Sequence, residues 1–239
     1  IGPISFNSVN TADIQTAPNT NLELLVADLN GDGRLDVLRS GTVGSLIIGN
    51  LNNGQAFPND SLGPDGELVN FAGTIRSLAL GDVNQDGLPD LAVGLNGIPS
   101  LFLNSGNPAD PFSGPGENIG LLSGLFAADI EFGDIDGDGF LDTIVAQDFL
   151  LGGLLSSNYV FINSQMASPF NGVAPQIIGD NEDESTAIAL GDLDGDGDLD
   201  VIFSNGAQAN RYHLNDGIGG LGNGILLNGG VTDTRNVAI

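Results

Sequence analysis

The chain contains no cysteine, no tryptophan and no lysine. Without cysteine it can form no disulfide bond, and it has no thiolate to offer a metal ion. Its five basic residues are all arginines and stand against 31 acidic residues, so the formal net charge is −26. Such a surface repels nucleic acid and offers no polybasic patch to anionic lipid. These absences leave a cation as the expected partner of the chain.

Long apolar runs are also missing. None approaches the ~18 residues of a membrane-spanning helix, and no segment keeps helical periodicity over the ~10 residues that a helix needs. The chain begins at Ile1 without a basic leader, so we expect any signal peptide to have been removed or to lie outside this sequence. Because 41% of the residues are apolar, the 239 residues can still bury a substantial core.

One aspartate-rich segment occurs four times. It reads ADLNGDGRLD from residue 27, GDVNQDGLPD from 81, GDIDGDGFLD from 133 and GDLDGDGDLD from 191. The leading aspartates are 54, 52 and 58 residues apart. A short run of alternating apolar residues stands before and after each copy, for example SLALG and DLAVG around the second. Period-two alternation over such short runs is typical of β-strands.

Two more strand-like runs follow in each repeat, for example SLFLNSG and ENIGLL in the second. A unit of about 55 residues with four short strands joined by turns is typical of a propeller blade. We therefore predict an all-β protein, a β-propeller of four-stranded antiparallel blades that forms a single domain over residues 1–239. The four complete repeats span approximately 22–73, 74–125, 128–180 and 184–230.

The two ends of the chain resemble parts of a further blade. Residues 233–239 line up with the first strand at 74–80, with Arg235 matching Arg76, whereas residues 3–9 resemble a third strand. These terminal strands could combine within the chain and close a small ring. They could also combine between chains, in a head-to-tail contact that propagates into a filament. The third alternative is that the chain is a piece of a longer propeller.

The four repeated loops share the pattern D-x-[DN]-x-D-G-x-x-D. Oxygen-bearing side chains stand at positions 1, 3, 5 and 9, and glycine at position 6 permits a sharp turn. Calcium takes oxygen ligands and accepts backbone carbonyls among them, so position 7 is expected to contribute its carbonyl only. The predicted calcium ligands are Asp28, Asn30, Asp32, Arg34 and Asp36 in the first loop, Asp82, Asn84, Asp86, Leu88 and Asp90 in the second, Asp134, Asp136, Asp138, Phe140 and Asp142 in the third, and Asp192, Asp194, Asp196, Asp198 and Asp200 in the fourth.

Other metals and another loop family fit this pattern less well. Magnesium prefers a rigid octahedron that keeps several waters, and zinc would favour histidine or cysteine, which no loop contains. An EF-hand shares the first six positions but requires glutamate at position 12 and a helix on each side. Position 12 here is Arg39, Val93, Val145 or Phe203, and the flanking segments are strand-like. The sequence therefore predicts four calcium sites, one in each repeat.

The segments LGDVNQDGLPDLAVG, FGDIDGDGFLDTIVA and LGDLDGDGDLDVIFS resemble the FG-GAP/VCBS-type repeat of integrin α-chain propellers, fungal propeller lectins and many secreted bacterial proteins. The resemblance extends from about residue 20 to about residue 230. It implies a β-propeller with calcium bound in the hairpin between the first two strands of each blade. Rings of this family usually have more blades than the four repeats of this chain.

Catalysis is not expected. The one histidine, His213, falls in a predicted third strand, and the sequence contains no nucleophile elbow, phosphate loop or histidine-rich metal site. Loops of this type suit millimolar calcium, which favours secretion or display at the cell surface. We therefore expect an extracellular adhesive or assembly module, with homo-oligomers or a head-to-tail polymer as its assembly, no nucleic acid partner and no insertion into membranes.

A lectin-like polysaccharide binder is the alternative function, because the resembled family includes lectins. Against it, the chain has no tryptophan and only two tyrosines, so few rings are available to stack on sugars. Tyr159 and Tyr212 occupy comparable strand positions and are expected to pack within the blades. A single Asn-x-Ser sequon at Asn59 is a weak indication of glycosylation.

Overall fold

The computed structural model describes residues 24–40, 46–50, 67–70, 74–121, 126–148, 157–179, 184–206 and 208–227. The predicted terminal strands 3–9 and 233–239 and the sequon at Asn59 lie outside these residues. Within them the chain forms sixteen strands and no helix, so no helix in the described part of the chain could cross a membrane. The expectation of an all-β chain is confirmed.

The strands form four four-stranded antiparallel sheets, each built from consecutive strands. The first sheet contains β1 (Leu24–Ala27), β2 (Asp36–Ser40), β3 (Leu46–Asn50) and β4 (Glu67–Asn70). The second contains β5 (Ile75–Gly81), β6 (Asp90–Leu95), β7 (Ser100–Phe102) and β8 (Glu117–Asn118). The third contains β9 (Ala127–Gly133), β10 (Asp142–Gln147), β11 (Asn158–Phe161) and β12 (Gln176–Ile178). The fourth contains β13 (Ser185–Gly191), β14 (Asp200–Asn205), β15 (Arg211–His213) and β16 (Ile225–Leu226).

Consecutive sheets pack face to face through three apolar clusters. Leu38 of the first sheet and Leu78 of the second lie in one cluster, Ala92 of the second and Val145 of the third in the next, and Ile144 of the third and Phe203 of the fourth in the last. Strand β10 is buried along its whole length between two of these clusters, to which Val145 and Ile144 belong respectively. Strand β14 is also buried along its whole length, and its Val201 and Phe203 lie in the last cluster. Meandering four-stranded sheets stacked in this way are the blades of a β-propeller, which is the predicted fold.

The first two strands of every sheet are joined by a hairpin of the same length and register. Each loop begins with position 1 of the repeated pattern and ends just before position 9, which is the first residue of the second strand. The pairs that close the four hairpins are Ala27 with Asp36, Gly81 with Asp90, Gly133 with Asp142, and Gly191 with Asp200. The fold therefore places four loops of the same length at the same end of successive blades.

Candidate metal centres

Hydrogen bonds from the loop backbone hold the position 1 aspartate across each hairpin. Its Oδ2 accepts a bond from the N–H of the glycine at position 6, so the loop curls around the carboxylate. The N···O distances are 2.7 Å for Gly33 to Asp28, 2.8 Å for Gly87 to Asp82, 3.0 Å for Gly139 to Asp134 and 3.1 Å for Gly197 to Asp192. These glycines have φ between 80° and 101°, a conformation that L side chains rarely adopt.

The side chains at positions 3 and 5 are fixed in the same repetitive manner. The side chain at position 3 accepts the backbone N–H of position 5. The N···O distance is 3.2 Å from Asp138 to Asp136 and 3.3 Å from Asp196 to Asp194. Position 5 in turn accepts the N–H of position 7, at 2.8 Å from Phe140 to Asp138. Because each side chain is tied to a backbone group two residues on, alternate side chains turn toward the inside of one loop.

Position 4 also needs a left-handed backbone, which the sequence analysis missed. Three loops have glycine there, whereas the second has Gln85 at φ 60°. The signal was available in the sequence, since Gly31, Gly137 and Gly195 recur at this position. Gln85 also donates a bond of 2.8 Å from its Nε2 to the carbonyl of Gly139 in the next loop, so this departure from glycine forms a contact between neighbouring blades.

The position 9 aspartates differ from the other predicted ligands because they are fully buried. The exposed fraction is 0% for Asp36, Asp90, Asp142 and Asp200. The Oδ2 of each accepts the N–H of position 2 in its own loop, at 2.9 Å from Ile135 to Asp142. Burial raises the pKa of Asp90 and of Asp142 to about 6, although the backbone N–H groups that they accept act in the opposite direction. A bound cation would offset this cost of burying a carboxylate.

Two loops bring three carboxylates together closely enough to share one ion. In the third loop the oxygens of Asp134, Asp136 and Asp138 lie within 4.8 Å of one another, and in the fourth those of Asp192, Asp194 and Asp200 do. The Oδ1 of Asp134 is buried without a hydrogen-bond partner. Burial, and then the charge of Asp138, raise the pKa of Asp136. An unpartnered buried oxygen beside two further carboxylates fits a hard cation such as calcium.

In the first two loops a neighbouring side chain bonds the position 5 carboxylate. In the first, the guanidinium of Arg34 pairs with Asp32, and both side chains are partly exposed. In the second, the amide of Asn84 donates a bond of 3.0 Å to Asp86. Both loops have asparagine at position 3, which removes one negative charge relative to the third and fourth loops. A cation that entered either loop would therefore meet fewer carboxylates. It would also have to displace the side chain that already bonds the position 5 carboxylate.

Three asparagines that the sequence analysis did not single out connect the loops. Asn104, Asn163 and Asn215 follow the third strands of their sheets and are 6%, 4% and 6% exposed. The N–H of each donates to Oδ1 of the position 9 aspartate in its own blade, at 2.7, 2.8 and 2.8 Å respectively. In the sequence these asparagines recur with glycine or Gln165 two residues on, but that recurrence does not reveal their bonding partners.

The remaining sequence candidates belong to the packing of the blades. His213 is 1% exposed and its ring meets Phe203 edge-on at a centroid distance of 5.6 Å. Its Nδ1 lies 2.8 Å from the carbonyl of Gly222. Tyr159 packs against the second core cluster with its ring 6.4 Å from that of Phe161. These aromatic side chains therefore take part in the packing of the blades.

Comparisons with known proteins bear on the repeat and on the fold. The sequence model of FG-GAP-like repeats matches residues 28–93, 82–145 and 146–203. A solved lectin of Agrocybe aegerita, described as specifically recognising non-reducing terminal N-acetylglucosamine, is similar at 20% identity and TM-score 0.55 over 86% of this chain and 52% of its own. The chain therefore spans about half the length of that lectin. BBS1N, solved in complex with ARL6DN, is 13% identical with TM-score 0.36 over 87% of this chain and 82% of its own. No curated protein matches the sequence.

Proposed function

Because the chain belongs to the family of FG-GAP-like repeat proteins, we propose that it is an extracellular calcium-binding β-propeller that serves as a structural and adhesive assembly module. The calcium proposal rests on the cluster of Asp134, Asp136 and Asp138, in which the buried Oδ1 of Asp134 has no hydrogen-bond partner. Calcium would neutralise carboxylates that otherwise repel one another inside a tight hairpin. Its role is structural, since only the folded loop brings the ligands together.

Each loop is proposed to hold one ion through the side chains at positions 1, 3, 5 and 9 and the carbonyl at position 7. The third and fourth loops contribute four carboxylates each, whereas the first and second contribute three and an asparagine. Affinity rises with the charge of the ligand set. The third and fourth loops should therefore fill at lower calcium concentration than the first and second.

We expect four calcium ions per chain, measured by calorimetric titration and by elemental analysis after dialysis. Asp196→Ala removes a proposed ligand from the fourth loop and should reduce the count to three. Asp198→Ala is the matched control, because position 7 of the same loop is proposed to bind through its backbone carbonyl and the substitution leaves that carbonyl in place. If both variants keep four ions, or if the unaltered chain binds none, the assignment of the loops is wrong.

The assembly proposal is supported by the two ends of the stack of sheets. Leu24 of the first sheet is 62% exposed, whereas the residues at the same place in the other sheets are buried. Those residues are Leu78, Ile130 and Ile188, at 4%, 0% and 4%. At the other end, Leu193 of the fourth loop is 37% exposed, while its three counterparts Leu29, Val83 and Ile135 are 0% exposed. Both ends thus present apolar positions that the internal interfaces cover, as a head-to-tail contact between copies requires.

Removing residues 231–239 is expected to abolish concentration-dependent oligomers, measured by light scattering after size exclusion in millimolar calcium. The reason is that residues 233–239 repeat the sequence of a first strand and are proposed to form a composite blade with residues 3–9 of the next copy. Leu24→Asp places a charge on the receiving face and should have the same effect without shortening the chain. Equal monomeric mass for the full chain and both variants would contradict strand donation.

The proposal includes no catalytic step, and the burial of His213 supports that choice. A lectin-like function is the alternative outcome of the same experiments. Binding of the monomeric Leu24→Asp variant to a glycan array separates the two functions. An adhesive module that acts through its ends would bind no glycan on the array. Selective binding to one class of terminal sugar would favour the lectin-like function instead.

A further inference from the structure

A continuous path of hydrogen bonds joins the four candidate calcium loops through Asn104, Asn163 and Asn215. We propose that these asparagines couple the loops, so that calcium bound in one loop raises the calcium affinity of its neighbours. The inference rests on the calcium binding proposed above. It assigns the asparagines a positioning role, because they contact the ligand-bearing loops and not the ion.

Each asparagine contacts two loops at once. Its Nδ2 donates to the carbonyl of position 2 in the preceding loop, and its backbone N–H donates to the position 9 aspartate of its own loop. The Nδ2···O distances to the preceding loop are 2.9 Å for Asn104 to Leu29, 2.9 Å for Asn163 to Val83 and 2.7 Å for Asn215 to Ile135. Three blade interfaces therefore carry the same bond.

The backbone of the position 2 residue connects one asparagine to the aspartate that the preceding asparagine contacts. Val83 receives the bond from Asn163 on its carbonyl, while its own N–H donates to Asp90 at 3.0 Å. Asp90 in turn accepts the N–H of Asn104, whose side chain reaches Leu29 of the first loop. The backbone of position 2 lies directly between the proposed ligands at positions 1 and 3, so a movement of either ligand moves this link.

Burial makes the path stiff. The three asparagines are at most 6% exposed, and the position 9 aspartates and the position 2 residues Leu29, Val83 and Ile135 are 0% exposed. A buried donor or acceptor that loses its partner is costly, because water cannot replace the partner. When repulsion opens one metal-free loop, its neighbour therefore also loses a bond. Ordering one loop with calcium lowers the cost of ordering the next, and this coupling is reciprocal.

Direct electrostatic repulsion between bound ions would have the opposite effect on the calcium affinity of a neighbouring loop. An ion in one loop adds two positive charges near the next loop and so lowers the affinity there. This repulsion is screened by salt, whereas buried hydrogen bonds are screened much less. Measurements in 1 M NaCl, where the Debye length is about 3 Å, separate the two effects. Positive coupling that survives high salt belongs to the hydrogen-bonded path.

Calcium titration followed by NMR tests the coupling site by site. The position 6 amides of Gly33, Gly87, Gly139 and Gly197 report the four loops, because each donates to its position 1 aspartate. Asn163→Ala cuts the path between the second and third loops. Asn158→Ala is the matched control: Asn158 is 3% exposed and also bonds the next blade, through Ser185 at 2.8 Å, but it stands at the opposite end of the strand.

We expect Asn163→Ala to raise the half-saturating calcium concentration of Gly33 and Gly87 at least about fivefold over Asn158→Ala. The two variants should lower the metal-free melting temperature by similar amounts, which separates coupling from general destabilisation. Equal midpoints in both variants would overturn the coupling while leaving calcium binding intact. If the glycine amide signals of the unaltered chain do not shift when calcium is added, the proposed function itself is wrong.

A second measurement leaves the asparagines untouched and so does not depend on the folding of Asn163→Ala. Asp196→Ala should empty the fourth loop, since Asp196 is an exposed proposed ligand whose carboxylate accepts the N–H of Asp198 within its own loop. With coupling, the midpoint of Gly139 in the neighbouring loop rises at least about threefold in 1 M NaCl. An unchanged midpoint of Gly139 would show that the two sites are independent and would overturn the inference.

Discussion

Removing calcium is expected to lower the melting temperature by about 20 °C or more. With calcium at about 100 times its dissociation constant, one site stabilises the folded state by about 2.7 kcal/mol, and four sites by about 11 kcal/mol. For a domain of this size each kcal/mol moves the melting temperature by about 2–4 °C. Thermal unfolding in 5 mM CaCl₂ (roughly a millimolar extracellular level) and in excess EDTA measures the difference.

Magnesium chloride at the same ionic strength is the control for this result. It screens the net charge of −26 as well as calcium does, but it fits the loops less well because it retains its waters. We expect magnesium to recover only a small part of the loss. A melting temperature that does not change with EDTA would mean that the loops bind no structural ion. Full recovery by magnesium would mean that screening, rather than the sites, stabilises the chain.

Replacing the position 9 aspartate is expected to destabilise the protein even without metal. Asp142 accepts the N–H groups of Ile135 and Asn163 at 2.9 and 2.8 Å, and it is fully buried. In Asp142→Asn the amide nitrogen must face one of these two donors, which leaves a buried N–H without an acceptor. The expected loss is about 3 kcal/mol in EDTA, measured by denaturant unfolding.

Asp138→Asn is the matched substitution in the same loop. Asp138 is exposed, and asparagine keeps the Oδ1 that accepts the N–H of Phe140, while water can replace the exposed bond from Gln165 Nε2 to Oδ2. In EDTA this variant should differ from the unaltered chain by no more than about 0.5 kcal/mol, whereas in calcium it should lose part of the contribution of one site. If both variants behave alike in EDTA, the buried hydrogen bonds of Asp142 do not stabilise the blade.

Local spacing explains why so much of the loop was predictable. Positions 1, 3 and 5 accept backbone N–H bonds that span two to five residues, so the sequence pattern contains these backbone partners. Position 9 is different. Its presence in the pattern was evident, but its burial against Asn104, Asn163 or Asn215 depends on a third strand 14, 21 or 15 residues further along. This variable separation hides the pairing from any fixed motif.

The sequence by itself determined the four repeats, the all-β fold, the hairpin loops and the candidate calcium ligands. It could do so because strand alternation and loop chemistry depend on neighbours within about ten residues. Only the tertiary structure decided which aspartates are buried, which asparagines link one blade to the next, and which apolar positions stay exposed at the two ends of the stack. Those properties arise from contacts between blades, such as Asn163 with Val83 across 80 residues, and no local pattern encodes them.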